Sequence, residues 1–168
     1  MFGLTSAVGL VLPQTIKQSL ILGRLDSTKD LILPQTVGSL DLKNLSHAKG
    51  LILPQIIKNN LDLRSLSSAE GLVFPQIIAG HLDLSNLRST EGLVLPQTIG
   101  DYLNLGYLRS AEGLVLPQTI GGYLDLSGLS SADGLVLPQT IGGTLFLNSL
   151  GSTEKDKIKT KYPNIKIE

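Results

Sequence analysis

Cysteine and tryptophan are both absent from this chain of 168 residues, and aromatic residues make up only 4% of it. Without cysteine, the chain can form neither a disulfide bond nor a cysteine-based metal site. The 14 basic and 14 acidic residues cancel, whereas nucleic-acid-binding domains usually carry a clustered positive excess. No apolar run reaches the ~18 residues that a membrane-spanning helix needs. These absences argue against a nucleic-acid partner and against membrane insertion.

The sequence motifs of catalysis are also missing. There is no nucleophile elbow, no phosphate-binding loop, no zinc-ligand spacing and no glycine-rich dinucleotide turn. The two histidines, His47 and His81, occupy different repeat positions, and neither has a matched serine partner. We therefore expect a non-enzymatic protein with no catalytic residue, no cofactor and no bound metal.

The chain instead contains one phrase repeated seven times, of which Gly134 to Gly142 (GLVLPQTIG) is one copy. The spacing is 21 residues, with a single step of 20 between Pro34 and Pro54. A fixed period of this length is typical of a solenoid, in which each repeat stacks on the next. We number the coils 1 to 7 by their prolines, which are Pro13, Pro34, Pro54, Pro75, Pro96, Pro117 and Pro138.

Apolar residues two positions apart predict the strands of each coil. In coil 6 they give the strands Leu114-Val115-Leu116 and Leu124-Asp125-Leu126, with the leucines inside and the middle residue outside. Pro117 cannot donate to a ladder, so it is expected to end the first strand. Stacked coils then place each strand in a parallel sheet that runs along the axis.

Glycines mark two of the corners between strands. At Gly121-Gly122 we expect a turn with positive φ. At the last corner of each coil, Gly134 and its counterparts predict the same geometry, and Asp30 replaces glycine in one coil because aspartate tolerates a left-handed backbone. The one-residue deletion falls at the corner Val37-Gly38-Ser39, which spares both strands.

The chain is thus predicted to be a right-handed all-β solenoid of about seven 21-residue coils, with two short parallel strands per coil. Residues 1–151 form the solenoid, and residues 152–168 cap the same domain. The cap is predicted as a helix from about Thr153 to Lys161, with Thr153 and Asp156 as a capping box, followed by a last strand at 164–168. The N-terminal end lacks a matching cap, so Phe2 and its neighbours, a second chain or a preceding part of a longer protein would cover it.

Several outward positions form columns along the axis. The residue two before each proline is always β-branched and apolar, and we call this column the Val/Ile stripe. Strand propensity alone would explain it, but exposed apolar stripes also mark interfaces. The candidate interface residues are Val11, Ile32, Ile52, Val73, Val94, Val115 and Val136.

Polar columns have structural and functional interpretations. The glutamines are expected to form an amide ladder between coils, and they are Gln14, Gln35, Gln55, Gln76, Gln97, Gln118 and Gln139. The threonines resemble the regular arrays of ice-binding solenoids, and they are Thr15, Thr36, Thr98, Thr119 and Thr140, interrupted by Ile56 and Ile77. The outward column of the second strand is Ile21, Asp41, Asp62, Asp83, Asn104, Asp125 and Phe146. Calcium between Asp62 and Asp83, or neutralisation by Lys43 and Arg64, would relieve the repulsion there.

Charge is uneven along the chain. Residues 1–68 carry seven basic and four acidic side chains, residues 69–151 carry two and seven, and residues 152–168 carry five and three. Four of the acidic residues share one column, namely Glu70, Glu91, Glu112 and Asp133. This unevenness either steers a basic partner or simply keeps the surface soluble.

The repeat resembles short, bacterial-type leucine-rich repeats, with Leu114 to Gly121 (LVLPQTIG) and Gly121 to Leu126 (GGYLDL) as the residues that carry the likeness. The resemblance covers roughly residues 4–151. It implies protein or ligand binding without catalysis, and it transfers no particular site residue.

Three functions follow from these patterns. The first is a protein-binding repeat scaffold, as a module of a larger bacterial surface or effector protein. The second is a structural element that self-associates through its N-terminal end or the Val/Ile stripe. The third is an ice- or glycan-binding face.

Overall fold

The computed structural model is a parallel β-solenoid of about seven turns, closed by one helix and a final strand. It describes residues 4–25 and 27–168, so the prediction for Phe2 lies outside the described residues. The elements are β1 Thr15–Ile21, β2 Thr36–Asp41, β3 Ile56–Ile57, β4 Leu61–Asp62, β5 Ile77–Ile78, β6 Leu82–Asp83, β7 Thr98–Ile99, β8 Leu103–Asn104, β9 Thr119–Ile120, β10 Leu124–Asp125, β11 Thr140–Ile141, β12 Thr144–Phe146, α1 Ser152–Lys161 and β13 Lys166–Ile167.

The strands form two parallel rows that meet at β2. The first row runs β11-β9-β7-β5-β3-β2, and the second runs β2-β4-β6-β8-β10-β12-β13. Equivalent residues of neighbouring coils are partners, as in Thr98 with Thr119 and Leu103 with Leu124. This in-register stacking follows from the constant repeat length, because a slip of one residue would turn the leucines outward.

The position of the first strand differs from the prediction. Leu114, Val115 and Leu116 do alternate between inside and outside, but they form no hydrogen-bonded strand. The strand of this row begins after Pro117, at Thr119–Ile120. The coil-to-coil backbone bonds start at Gln118, whose N–H donates to the carbonyl oxygen of Gln97 at 2.9 Å. Pro117 lacks an N–H, so it precedes the ladder instead of ending it.

The two glycine corners are built differently. The last corner has the predicted left-handed backbone, with φ of 74° at Gly134 and 61° at Asp30. Gly121 and Gly122 do not have positive φ, which corrects the prediction for them. Gly121 is needed there for a different reason: a Cβ would lie 2.8 Å from the carbonyl carbon of Gly100 in the coil below.

The shortened coil is accommodated at the expected corner. Ile16 pairs with Val37 and Ser19 pairs with Ser39, so the register shifts by one residue between these two pairs. Lys17 and Gln18 of coil 1 therefore lie opposite the single residue Gly38 of coil 2. The deletion spares the paired residues on either side, as predicted.

The core is a set of leucine and isoleucine columns inside the coils. Leu61, Leu82, Leu103 and Leu124 are fully buried and stack on one another through β4, β6, β8 and β10. In coil 1 the inward residues on either side of Pro13, namely Leu10, Leu12 and Ile16, are only partly buried against the core.

The C-terminal cap is largely as predicted. Helix α1 buries Ile158, and β13 pairs with β12 through Leu145 and Ile167. The N–H of Leu137 donates to the hydroxyl of Tyr162 at 3.4 Å, which ties the cap to coil 7. The capping box is wrong, because the N-cap is Gly151 and makes no side-chain cap bond. In the described part of the chain, no helix is long and apolar enough to cross a membrane.

Candidate functional site

The Val/Ile stripe lies on the surface along its whole length. Its seven side chains are 64–91% exposed, with Val11 the most exposed and Val136 the least. The flanking leucines point inward, as Leu51 and Leu53 do on either side of Ile52. At a coil rise of ~4.8 Å the stripe is roughly 30 Å long.

The corner before the stripe sets its orientation. In coil 6 the N–H of Leu114 donates to the carbonyl oxygen of Ala111 at 3.0 Å, and Gly113 between them has a φ of 71°. The chain then runs extended to the buried Pro117, so Val115 faces solvent. Because the same turn recurs in each coil, the stripe side chains project from equivalent positions on the surface.

The threonine column forms the outer face of the first strand row. Thr98 pairs with Thr119, and Thr119 with Thr140, while Ile99 and Ile120 behind them are fully buried. Ile56 and Ile77 occupy the same outward position in coils 3 and 4 and are more than half exposed. This outer face is therefore a second β-branched ladder that contains two apolar members.

The glutamines do not form the predicted amide ladder. Their side chains are exposed, and in residues 4–25 and 27–168 none of these side-chain amides makes a hydrogen bond. The bonds that link this column between coils are backbone bonds, such as the one from Gln97 to Gln76 at 2.9 Å. The column is thus part of the ladder through its main chain alone.

The outward aspartates of the second strand row close local turns, and we call Asp41, Asp62, Asp83 and Asp125 the aspartate column. The N–H of the residue two positions later donates to each side chain, as from Lys43 to Asp41 at 3.0 Å and from Ser127 to Asp125 at 2.9 Å. Asn104 accepts the same bond from Gly106 at 2.9 Å. These Asx turns give the column a structural role.

Arg64 lies between Asp62 and Asp83, the position proposed for calcium from the sequence. Its Nε donates to Oδ1 of Asp62 at 2.9 Å, and its terminal nitrogen lies 3.9 Å from Oδ2 of Asp83. The hydrogen bond to Asp62 raises the pKa of Arg64 further above its ordinary value. The described residues contain no group of three or more acidic or histidine side chains arranged for a metal. The guanidinium therefore supplies the positive charge at this point.

A row of stacked aromatic rings, which the column pattern did not predict, lies beside the aspartate column. The ring centroids of His81 and Tyr102 are 4.3 Å apart, and those of Tyr102 and Tyr123 are 4.5 Å apart. Phe146 completes the row edge-on at 5.7 Å from Tyr123. Residues 81, 102 and 123 are 21 positions apart, so the repeat spacing in a chain so poor in aromatics was the available signal. The rings cover one another's faces, which assigns His81 a packing role.

The remaining candidate residues lie at the last corner. His47 forms an isolated parallel bridge with Ser68 of the next coil. Serines recur at this corner, and their hydroxyls accept bonds from the backbone N–H two residues later, as Ser110 does from Glu112 at 3.2 Å. These serines are Ser27, Ser68, Ser89, Ser110 and Ser131. His47 and His81 therefore belong to different surfaces, and the structure does not bring them together.

Burial, together with Tyr123, Asp83 and Asp62, raises the pKa of Tyr102 to about 12 from an ordinary value of 10.0. The phenolate is therefore disfavoured in the folded chain, and the stabilisation is complete below pH 10 and lost as the pH rises toward 12. We expect the melting temperature to fall over this interval, and to fall less in Tyr102→Phe. Thermal melts followed by circular dichroism at pH 9, 10, 11 and 12 test this. Equal falls in both proteins would contradict it.

Comparison with protein-family models, with curated proteins and with solved structures finds no match to this chain.

Proposed function

We propose that this chain is a non-enzymatic repeat scaffold of the leucine-rich-repeat type, and that the Val/Ile stripe binds another protein chain. The observation that carries the proposal is the exposure of seven β-branched side chains in one line, at 64–91% each. Contiguous apolar surface of this kind is uncommon on soluble proteins unless something binds it.

Strand propensity is a weaker explanation of the stripe than the sequence suggested. β-branched residues are favoured in strands because they pack on a pleated ladder. The stripe residues lie outside the hydrogen-bonded strands, which begin after the prolines. The choice of valine or isoleucine in every coil is therefore not accounted for by the ladder, and protein binding does account for it.

Shape also supports the proposal. The stripe repeats one exposed apolar side chain per coil over seven coils, so it suits a partner that offers an equally extended apolar surface. Burial of each stripe side chain on binding would contribute roughly 1.5–3 kcal/mol before the entropic cost of association. Burial of the stripe side chains of several coils would together supply enough free energy to offset that cost.

We expect the double substitution Val73→Lys and Val94→Lys to abolish binding through the stripe without unfolding the chain, because both side chains are exposed. Asn86→Lys with Tyr107→Lys is the matched control. These two exposed residues lie in a different column, and their substitution adds the same charge. Circular dichroism melts should place both variants within ~0.5 kcal/mol of the parent.

Binding is measured by photo-cross-linking in the cells that produce the protein. A photoreactive benzophenone amino acid is placed at position 115 of the stripe, or at position 107 as the control. Mass spectrometry identifies what is cross-linked. We expect position 115 to cross-link to a defined protein and position 107 not to do so. The cross-link at 115 should disappear in the double-lysine variant. No cross-linked protein at 115 above the level at 107 would refute the proposed function.

A further inference from the structure

A column of charged side chains runs beside the Val/Ile stripe, three residues earlier in each coil, and its sign changes along the axis. Coils 2 and 3 carry lysine at this position, and coils 4 to 7 carry an acidic residue; coil 1 has Val8. All of these residues are exposed. We call them the charge column, and its members are Lys29, Lys49, Glu70, Glu91, Glu112 and Asp133.

The backbone of the charge column is fixed by its own corner. The N–H of Lys29 donates to the hydroxyl of Ser27 at 3.2 Å, and the N–H of Glu91 donates to Ser89 at 3.1 Å. The hydroxyl of Thr90 donates to the carbonyl oxygen of Glu112 at 2.7 Å, which ties two coils together at this column. The backbone positions that carry the charges therefore recur at a regular spacing along this edge.

The charges of this column lack ion-pair partners among the described residues. None of the ion pairs found in residues 4–25 and 27–168 includes a member of the column. Four acidic side chains at successive coils repel one another, since like charges one strand spacing apart are destabilising. Opposite charge from another molecule would relieve that repulsion.

We propose that the partner of the stripe is a second copy of this chain, packed side by side and antiparallel about a twofold axis between coils 3 and 4. This inference rests on the proposed function of the stripe and names its occupant. A twofold interface brings the same surface of both chains together, so that surface must be self-complementary. A column that is basic at one end and acidic at the other meets this condition only when the two chains run in opposite directions.

The position of the sign change sets the register. With the axis between coils 3 and 4, Lys49 of one chain faces Glu70 of the other, and Lys29 faces Glu91. By symmetry this gives four opposite-charge pairs and no like-charge pair. In the stripe, Ile52 then faces Val73, Ile32 faces Val94 and Val11 faces Val115. Six of the seven stripe positions are covered, and coil 7 projects beyond the partner.

Charge exchange tests this arrangement. We expect the parent chain to be a dimer in sedimentation equilibrium and in light scattering after size exclusion. Lys29→Glu with Lys49→Glu makes the column wholly acidic and should raise the dissociation constant by at least about tenfold, since four pairs become repulsive. Adding Glu70→Lys and Glu91→Lys restores the four pairs with their signs exchanged, and the dimer should return.

Lys17→Glu with Lys58→Glu is the matched control, because it makes the same charge change in the same half of the chain at exposed positions outside the column. It should leave the dissociation constant unchanged. Sodium chloride should weaken the parent dimer and the fourfold variant alike. Circular dichroism confirms that each variant is folded.

A folded fourfold variant that stays monomeric, or a parent dimer unaffected by the two glutamates, would overturn the antiparallel arrangement. A monomeric parent at high concentration would overturn the second copy as partner. The proposed function is judged separately by the cross-link at position 115: a different protein there preserves the proposed function, and no protein there refutes it.

Discussion

Gly121→Ala is expected to destabilise the solenoid by about 3 kcal/mol or more. The added Cβ would lie 2.8 Å from the carbonyl carbon of Gly100 and closer still to its carbonyl oxygen. The backbone of Gly100 is itself held in place, because its N–H donates to the carbonyl oxygen of Ile78 at 2.9 Å. One coil can therefore relieve the clash only by moving away from the next, which weakens the ladder bonds between them.

Gly113→Ala provides the comparison. Gly113 has a φ of 71°, and its added Cβ would meet only the hydroxyl of Thr90 at 3.7 Å. The cost there is about 1–2 kcal/mol from the left-handed backbone alone. In coil 4, Ala79 occupies the position that Gly121 holds in coil 6. The larger loss of stability expected for Gly121→Ala therefore reflects how closely the backbones of coils 5 and 6 approach each other. Urea denaturation measures both, and a larger loss for Gly113→Ala would contradict the close approach.

Leu82→Ala is expected to cost about 3–4 kcal/mol. Leu82 is fully buried, and it pairs in register with Leu61 of coil 3 and with Leu103 of coil 5. The cavity therefore removes packing from two coil interfaces at once. In a stack where each coil contacts its neighbours, the effect should be strongest locally. Hydrogen exchange should show the largest loss of protection around coil 4.

Two comparisons sharpen this prediction. Leu20 holds the same position in coil 1, where its registered partner is Leu40, so Leu20→Ala should cost about 2 kcal/mol. Tyr107→Ala, at an exposed position, should change the free energy of unfolding by less than ~0.5 kcal/mol. Equal costs for Leu82→Ala and Leu20→Ala in chemical denaturation would show that the coils do not stabilise one another in this way.

The stack could be predicted from the sequence because every position is repeated up to seven times. The leucine spacing defined the inner columns, and the deletion at Gly38 could be placed because the coils on either side are regular. The final helix and strand were recognisable because residues 152–168 depart from the repeat and end in an alternating pattern. The structure confirms these three features.

The position of the first strand could not be predicted from the same pattern. Alternation reports which way the side chains point, and Leu114, Val115 and Leu116 do alternate. It does not report which backbone groups are paired, and the ladder begins only after Pro117. Glycine is ambiguous in a similar way: Gly134 is required by its dihedral angle and Gly121 by the nearness of another coil.

The exposure of the Val/Ile stripe followed from the sequence, but its separation from the strands did not. Without the strand positions, local strand propensity was by itself a sufficient explanation of the stripe. The stacking of His81, Tyr102 and Tyr123 could not be predicted from the pattern within one coil, because each ring meets the next only across coils. Side chains that meet only across coils must be compared at the repeat distance.

Because equivalent residues pair at one repeat length, a segment of 21 residues is a complete unit of inheritance. A gene duplication or loss that adds or removes one whole coil would leave both ends and every corner intact. A length change inside a strand would turn leucines outward, whereas the deletion at Gly38 shows that a corner can absorb the loss of one residue. Coils gained after coil 4 would lengthen the acidic part alone, so the molecule can vary in size over evolutionary time while its point of charge reversal stays in place.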